Sequence, residues 1–562
     1  MKKIRIMKKI CVALIVTWAL TSMGMLFAQA PAPAAAAAPA AGSPPPASAP
    51  ITDAELKGAV VPTDRSNGDP SGALTGTATD ITASDAAKGV TLKDVLDQIG
   101  ANRIGVNFGW TLLCGFLIMF MQAGFAVVET GLCRAKNANH TMMMNFMVYG
   151  VGMLAYWLIG FPIQMGGVGA VANLGGIGVL NAETTVHLFG KDFGIFGNVG
   201  YFLVHRGSYD VAVMVVFLFQ MVFMDTTTTI VTGTCAERWK YAAFMISTMF
   251  LGAFIYPIFA NWAWGGGWLA TLGANFGLGH GYSDFAGSGV VHSVGGITAL
   301  AVGMIIGPRL GKYTRTGKPN AIPGHDITWV LCGCFILAFG WFGFNPGSTL
   351  ALSGAGGLRA ASVAVNTMLA GMTGSFGAVL YMWMRYGKPD ASMGGNGFLA
   401  GLVAITAPCG FVNPVSSAII GLVAGVLVCI SVEFIDRVLK VDDPVGAISV
   451  HGANGLWGVI AVGLFADGKS NYGGSWNGVA GGVTGLFYGD AGQLVAQLLG
   501  VATLLGFVFV LAFVANLFVD WFVGQRVSAK TELQGLDIPE MGALCYPDFV
   551  LKPESLSSPT GD

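Results

Sequence analysis

His292 and His451 each sit inside a run of apolar residues long enough to cross a bilayer. An ionisable side chain in such a place is costly and marks a functional position by default. Two neutral imidazoles can share one proton between ring nitrogens and offer their other nitrogens and C–H edges to a passing solute, without a fixed charge. Paired membrane histidines can also ligate haem, although no second such pair accompanies these two. A second group is aromatic. The segment Asn261-Trp262-Ala263-Trp264-Gly265-Gly266-Gly267-Trp268 precedes Asp284-Phe285-Ala286-Gly287. Its tryptophans serve either as an interfacial belt or as a vestibule whose ring faces attract a small cation. Phe219, Gln220 and Phe223 share a helix face by their spacing, and Trp341-Phe342-Gly343-Phe344-Asn345-Pro346-Gly347-Ser348 ends another apolar run.

The elements that must hold these residues are transmembrane helices. Hydrophobic residues make up 54% of the chain and charged residues 10%, whereas a soluble domain carries roughly a quarter charged residues. The net charge of -1 supplies no basic field for nucleic acid, which is excluded as a partner. Glycines recur within the apolar runs, as at Gly397/Gly401 and Gly421/Gly425, where a missing side chain lets helix backbones approach. The nine cysteines are scattered and read as small apolar packers; Cys332 and Cys334 are too isolated for a metal site, and neither metal nor cofactor is expected.

Lys2, Lys3, Arg5, Lys8 and Lys9, an apolar stretch from Ile10 to Phe27, and Ala28-Gln29-Ala30 predict a secretory signal peptide over residues 1–30. A Pro/Ala-rich extension, residues 31–100, cannot build a core, and apolar spacing from Thr91 to Ile104 predicts a short surface helix before the membrane begins. The transmembrane domain spans 101–527, with eleven apolar stretches centred near Met119, Leu154, Val216, Met249, Ala299, Ile336, Met372, Leu402, Val426, Ile460 and Phe507, and residues 528–562 form a tail. Arg134/Lys136, Arg238/Lys240, Arg309/Lys312/Arg315/Lys318, Arg385/Lys388 and Arg437/Lys440 fall in alternate loops, with Arg526/Lys530 after the last span. The positive-inside rule makes these segments and the tail cytoplasmic. The intervening loops hold only Lys191, Arg206, Arg359 and Lys469, and the processed N-terminus lies outside.

Val291-His292-Ser293-Val294-Gly295-Gly296 on the fifth span echoes Val450-His451-Gly452-Ala453-Asn454-Gly455 on the tenth. Five spans apart is an odd number, so two five-helix halves would insert in opposite senses, with a substrate site between them near the midplane. The expected fold class is therefore an all-α integral membrane protein of eleven transmembrane helices, a 5+5 inverted pseudo-symmetric repeat plus a final helix.

Over roughly Asn107 to Asp537 the chain resembles the ammonium transporter family, Amt/Mep, related to Rh proteins. The resemblance rests on Gly131-Leu132-Cys133-Arg134-Ala135-Lys136-Asn137, Ala236-Glu237-Arg238, Asp284-Phe285-Ala286-Gly287, Gly340-Trp341-Phe342-Gly343-Phe344-Asn345 and Val441-Asp442-Asp443-Pro444. It implies a non-enzymatic ammonium conductor in a bacterial inner membrane, a homotrimer surrounded by lipid with one pore per subunit. Phe219, Gln220, Trp264 and Ser348 would form the external ammonium site, Phe223 and Phe344 a stacked gate, and His292 with His451 the pore pair, while Asp284 supports the site structurally. Trp264 and Ser348 are closer to the Amt branch than to Rh. A PII-type regulatory protein is the partner implied for the tail. Gly535-Leu536-Asp537 matches there, but Met541 and Ala543 replace the His and Glu commonly found afterwards. Gly289 stands where the family has a threonine-like residue, and the hydroxyl expected at that point is lost. Asp225, an acid in the third span, lies about 200° around the helix from Phe223 and about 140° from Gln220. It should point away from the pore and pair with hydroxyls such as Thr229.

Overall fold

In hydrocarbon every backbone N–H and C=O must be satisfied within the protein, which leaves apolar runs of this length only the helix. A computed structural model describes residues 92–169, 171–175, 180–204, 210–470, 472 and 474–549. The expected signal peptide, the extension up to residue 91 and Arg206 lie outside these residues. Among them, ten helices are long and apolar enough to cross a membrane: α1 (Leu92–Leu132), α2 (Ala135–Met165), α3 (Val211–Cys235), α4 (Tyr241–Trp264), α5 (Ser288–Ile306), α6 (Ile327–Thr349), α7 (Ala355–Tyr386), α9 (Pro414–Leu439), α10 (Ile448–Phe465) and α11 (Ala491–Val523), with a shorter apolar helix, α8 (Ala391–Thr406), between α7 and α9. Asp210, Asp326, Asp390, Asn413 and Asp490 accept backbone N–H groups in the first turns of α3, α6, α8, α9 and α11, which satisfies donors that the helix cannot.

Two expectations change, and one expected span is short. The short surface helix predicted before the membrane is the first part of one 41-residue helix, α1; nothing between Leu92 and Asn107 breaks a helix, so it runs on without a kink. The fold is not wholly helical: β1 (Glu183–Leu188) and β2 (Lys191–Gly197) form an antiparallel hairpin between α2 and α3. Phe189 and Gly190 turn it with φ of 52° and 72°, the left-handed pair that a two-residue hairpin turn needs. And α8, at 16 residues, rises about 24 Å, against about 30 Å of hydrocarbon. It is capped by Asp390 at one end and gives way at Ala407-Pro408 at the other.

Burial sorts the helices into layers. In α5, 83% of the apolar window is buried and in α3 78%, against 22% in α11, so α3 and α5 form the centre and α11 the periphery. Glycines set the close contacts. A Cβ on Gly374 would lie 2.4 Å from the Gly397 carbonyl oxygen, one on Gly401 2.1 Å and one on Gly421 2.2 Å from that of Ala370. The two glycine pairs singled out in the sequence are thus where α8 and α9 press on α7.

One face of the bundle carries the basic loops. There Arg309 bridges Glu237 (3.2 Å) and Asp442 (2.8 Å), and Arg134 pairs with Glu237. Burial works against ionisation of Asp442, but the Arg309 bonds and the Arg238 charge outweigh it and hold its carboxyl at about 2. The tail docks on the same face: Asp537 accepts from the backbone of Asn139 and His140, Leu536 N–H donates to Asn137, and Glu532 binds Arg526.

The hairpin lies at the other face, tied to the end of α4 by the Trp262 indole, which donates to the Ile195 carbonyl at 2.8 Å. At its start Glu183 accepts from Asn261 at 3.1 Å, and among the described residues its buried Oε1 has no partner. Burial raises Glu183 to about 7, against the lowering effect of the Asn261 bond. Because the folded value exceeds the ordinary one, Glu183 contributes stability that is fully present below about pH 4.5 and is lost as pH rises through about 7. Glu183→Gln should flatten the melting temperature between pH 4.5 and 7.5 in detergent. An identical decline in both proteins would show that Glu183 is not its source.

Candidate functional site

Both histidines ride on an opening turn of unusual width. The first six residues of α5, Ser288–Ser293, and of α10, Ile448–Ala453, are π-helical, a distortion that recurs at functional sites. Ahead of α5, Gly287 takes φ 116°. Asp284 caps the helix with both oxygens: Oδ1 accepts from the N–H of Gly287 (2.7 Å) and Ser288 (3.1 Å), Oδ2 from Gly289 (2.8 Å) and Val290 (3.0 Å). The hydroxyl expected to be missing at Gly289 comes from elsewhere. A Cβ there would stand 2.0 Å from the Tyr282 hydroxyl, which donates to Asp284 at 3.4 Å.

The helices then cross at contact distance, for a Cβ on Gly296 would lie 2.3 Å from the Gly452 nitrogen. That approach sets His292 Nδ1 3.1 Å from His451 Nδ1, with both rings buried. One Nδ1 must donate to the other, so at most one tautomeric arrangement of the shared proton holds at a time. The outward Nε2 of His292 is buried without a partner, a polar atom aimed into an otherwise apolar setting. Rings continue the line in both directions. Trp341 and Phe344 stack on His292 at 5.2 and 5.5 Å, and Phe125 packs on His451 at 5.8 Å. Phe344 is in turn covered by Phe223 at 4.1 Å, and Phe223 meets Phe219 at 4.8 Å and the edge of Trp264 at 5.9 Å.

Beyond the Phe223–Phe344 contact opens a cavity of about 360 Å³, lined by Phe219, Gln220, Phe223, Trp264 and Ser348 among others. Each lining group is held. The Trp264 indole donates to the Asp284 carbonyl at 2.7 Å. Gln220 accepts from Gln164, which accepts from the Tyr156 hydroxyl. Ser348 donates its proton to the Phe344 carbonyl at 2.8 Å, which leaves its oxygen only accepting capacity toward the cavity. Such a lining can take a small cation that donates hydrogen bonds; the ring faces supply attraction and the serine an acceptor.

The sequence comparisons match this geometry to one family. Residues 109–546 match the Ammonium Transporter Family. The chain belongs to it. Ammonium transporter Amt2 of Archaeoglobus fulgidus is 44% identical over 451 residues, 80% of this chain and 90% of that protein. Ammonium transporter Amt1 of Haloferax mediterranei is 34% identical over 464 residues, 81% and 82% respectively. Among solved structures, a Sensor Amt Protein superposes with a TM-score of 0.66 at 32% identity over 78% of this chain and 99% of its own. Candida albicans Mep2 gives 0.65 at 26%, over 80% and 92%.

In this ammonium transporter family member the fold brings all nine residues singled out from the sequence into one continuous arrangement. Five line the cavity, Phe344, His292 and His451 extend inward from it, and Asp284 lies behind, holding α5 and Trp264. Several neighbours were missed, among them Arg359, which borders the cavity and read only as a loop charge. Gln164, a lone amide in an apolar run, carried a signal; Tyr282 and Trp476, which also borders the cavity, carried none.

Asp225 is buried and does not line the cavity, but the partner expected for it is wrong. The Thr229 hydroxyl donates to Asn145 Oδ1 at 2.8 Å and accepts from Gln122. It belongs to a network with Glu129 and Thr232 between α1, α2 and α3. The amide from α2 reaches the hydroxyl, and among the described residues Asp225 Oδ1 has no partner.

The crossing itself is testable. Gly296→Ala puts a methyl where backbone stands, and overpacking of this kind costs about 1–3 kcal/mol. It should lower the melting temperature in detergent and break the histidine hydrogen bond in a crystal structure. An unchanged melt and an intact bond would show that the backbones can part freely.

Proposed function

We propose that this protein conducts ammonium across a bacterial cytoplasmic membrane, taking ammonium at the cavity formed by Phe219, Gln220, Trp264 and Ser348 and passing ammonia inward past His292 and His451. The single observation that carries this reading is the arrangement itself: a cation-attracting, hydrogen-bond-accepting cavity that ends on apolar rings above a histidine pair. Magnitudes decide the mechanism. Three ring faces contribute about 0.5–2 kcal/mol each, whereas a bare charge in an apolar interior costs on the order of tens of kcal/mol. The rings recruit the ion but cannot carry it further, so it gives up a proton at the cavity. Phe223 and Phe344, in contact, swing aside for the neutral molecule, and the histidines pass the proton separately. Potassium has no proton to lose and stops at the rings.

On this reading α8 completes an eleventh crossing, the basic face is cytoplasmic as the loop charges suggest, and three subunits form a homotrimer surrounded by lipid. The docked tail, with Asp537 bound to the start of α2, is the surface a PII-type protein would meet.

Proteoliposomes pulsed with ammonium or with potassium test the proposal, the expected result being a transient current with ammonium alone. Replacing both His292 and His451 by leucine should abolish that current or admit potassium, and unchanged current with unchanged potassium exclusion would remove the pair from the route. Trp264→Leu should raise the ammonium concentration for half-maximal current roughly 2- to 30-fold, the equivalent of one ring face. An unaltered value would make Trp264 a belt residue.

A further inference from the structure

The cavity has a second aromatic cluster, and a cation already occupies it. Arg359, in the first turns of α7, lines the same cavity as Trp264 and Ser348. Its guanidinium carbon lies 4.5 Å from the centroid of Phe285, 5.2 Å from that of Phe411 and 5.4 Å from that of Trp476. Nε and Nη2 both donate to the Gly410 carbonyl, at 3.2 and 2.9 Å. The rings brace one another, Trp476 stacked on Phe285 at 5.9 Å and edge-on to Phe411 at 4.9 Å. Among the described residues no carboxylate lies within ion-pair distance of Arg359, although ion pairs serve Arg134, Arg309, Arg437 and Arg526. A positive charge beside a cation site, held by ring faces and a carbonyl and neutralised by no acid, weakens that site by like-charge repulsion.

We propose that Arg359 is a specificity-determining residue of this cavity: an internal cation that fills one of two aromatic cages and lowers the affinity of the other for every external cation. The inference rests on the ammonium reading given above. Two consequences follow from the geometry. The fixed charge raises the concentration of ammonium needed to fill the cavity, so an ion gains entry only where hydrogen bonds to Ser348 add to the ring attraction. The guanidinium also keeps its own cage closed to cations that have no proton to donate, which Phe285, Phe411 and Trp476 would otherwise bind.

Arg359→Ala and Arg359→Lys separate these roles from mere packing. In proteoliposomes Arg359→Ala should lower the half-saturating ammonium concentration by roughly two- to tenfold at low ionic strength, with the difference shrinking in 0.5 M salt as screening grows. Tetramethylammonium should inhibit the alanine variant and not the parent. Arg359→Lys, which keeps the charge, should stay within about twofold of the parent. Guanidinium chloride at millimolar concentration should return the alanine variant to the parent's affinity by refilling the cage. A variant with reduced maximal current, unaltered half-saturation and no response to tetramethylammonium would overturn the proposal and leave Arg359 a packing residue. Calorimetric titration of guanidinium chloride into detergent-solubilised parent and Arg359→Ala keeps the two readings apart. A parent that passes no ammonium current refutes transport. Absence of guanidinium binding confined to the variant refutes the cage.

Discussion

At Gly296 of α5 there is no room for one additional carbon against the backbone of Gly452 on α10, and the histidine pair depends on that close approach. The two helices approach closely there, and His292, one turn before Gly296, and His451, the residue before Gly452, come to hydrogen-bonding distance. With the imidazoles set, Trp341 and Phe344 have a surface to stack on, Phe223 has Phe344, and the cavity ends where those two rings meet. Larger side chains at the crossing would leave the same residues on the same helices without a pair. The wide π-helical turns at the start of both helices carry the two histidines.

Around this dry line, polar groups are satisfied close to where they arise. Asp284 takes four backbone N–H groups at the mouth of α5, while its own carbonyl steadies Trp264. Glu129, Asn145, Thr229 and Thr232 bind one another between α1, α2 and α3. The guanidinium of Arg238 is spent on the carbonyls of Thr234, Ala236, Gly307 and Asp442. Each cluster spans two or more helices, so the cost of an unpaired polar group in an apolar interior becomes a force that fixes helix register. The orphaned atoms then stand out, and among the described residues His292 Nε2 is the one that belongs to the histidine pair itself.

Charge is distributed with the same economy. Acids and bases cluster at the basic face, where Arg134, Glu237, Arg309 and Asp442 form one network beneath the docked tail. At the hairpin face the cavity holds a guanidinium against three rings, with no acid at ion-pair distance among the described residues. On the proposed reading the face that receives the cation attracts it by ring faces rather than carboxylates, a choice that avoids trapping potassium.

Much of this was legible without coordinates. Apolar runs, alternating basic loops and two histidines in matched hexapeptides pointed to a helical membrane protein and to a histidine pair at its centre, because lipid restricts backbone to helix and punishes ionisable side chains. The glycines at Gly397/Gly401 and Gly421/Gly425 already marked close helix contacts. What the one-dimensional pattern could not decide is anything that depends on which groups compete for one partner. Thr229 was open to Asp225 by spacing, and Asn145 took it from a neighbouring helix. Gly289 looked like a lost hydroxyl, and Tyr282 filled the gap from a loop. Arg359 read as one sparse charge in a loop, and only packing placed it within a ring cage in the same cavity as Trp264. Spacing along a helix fixes the direction in which a side chain leaves its own axis, whereas its partner is set by the helices packed against it.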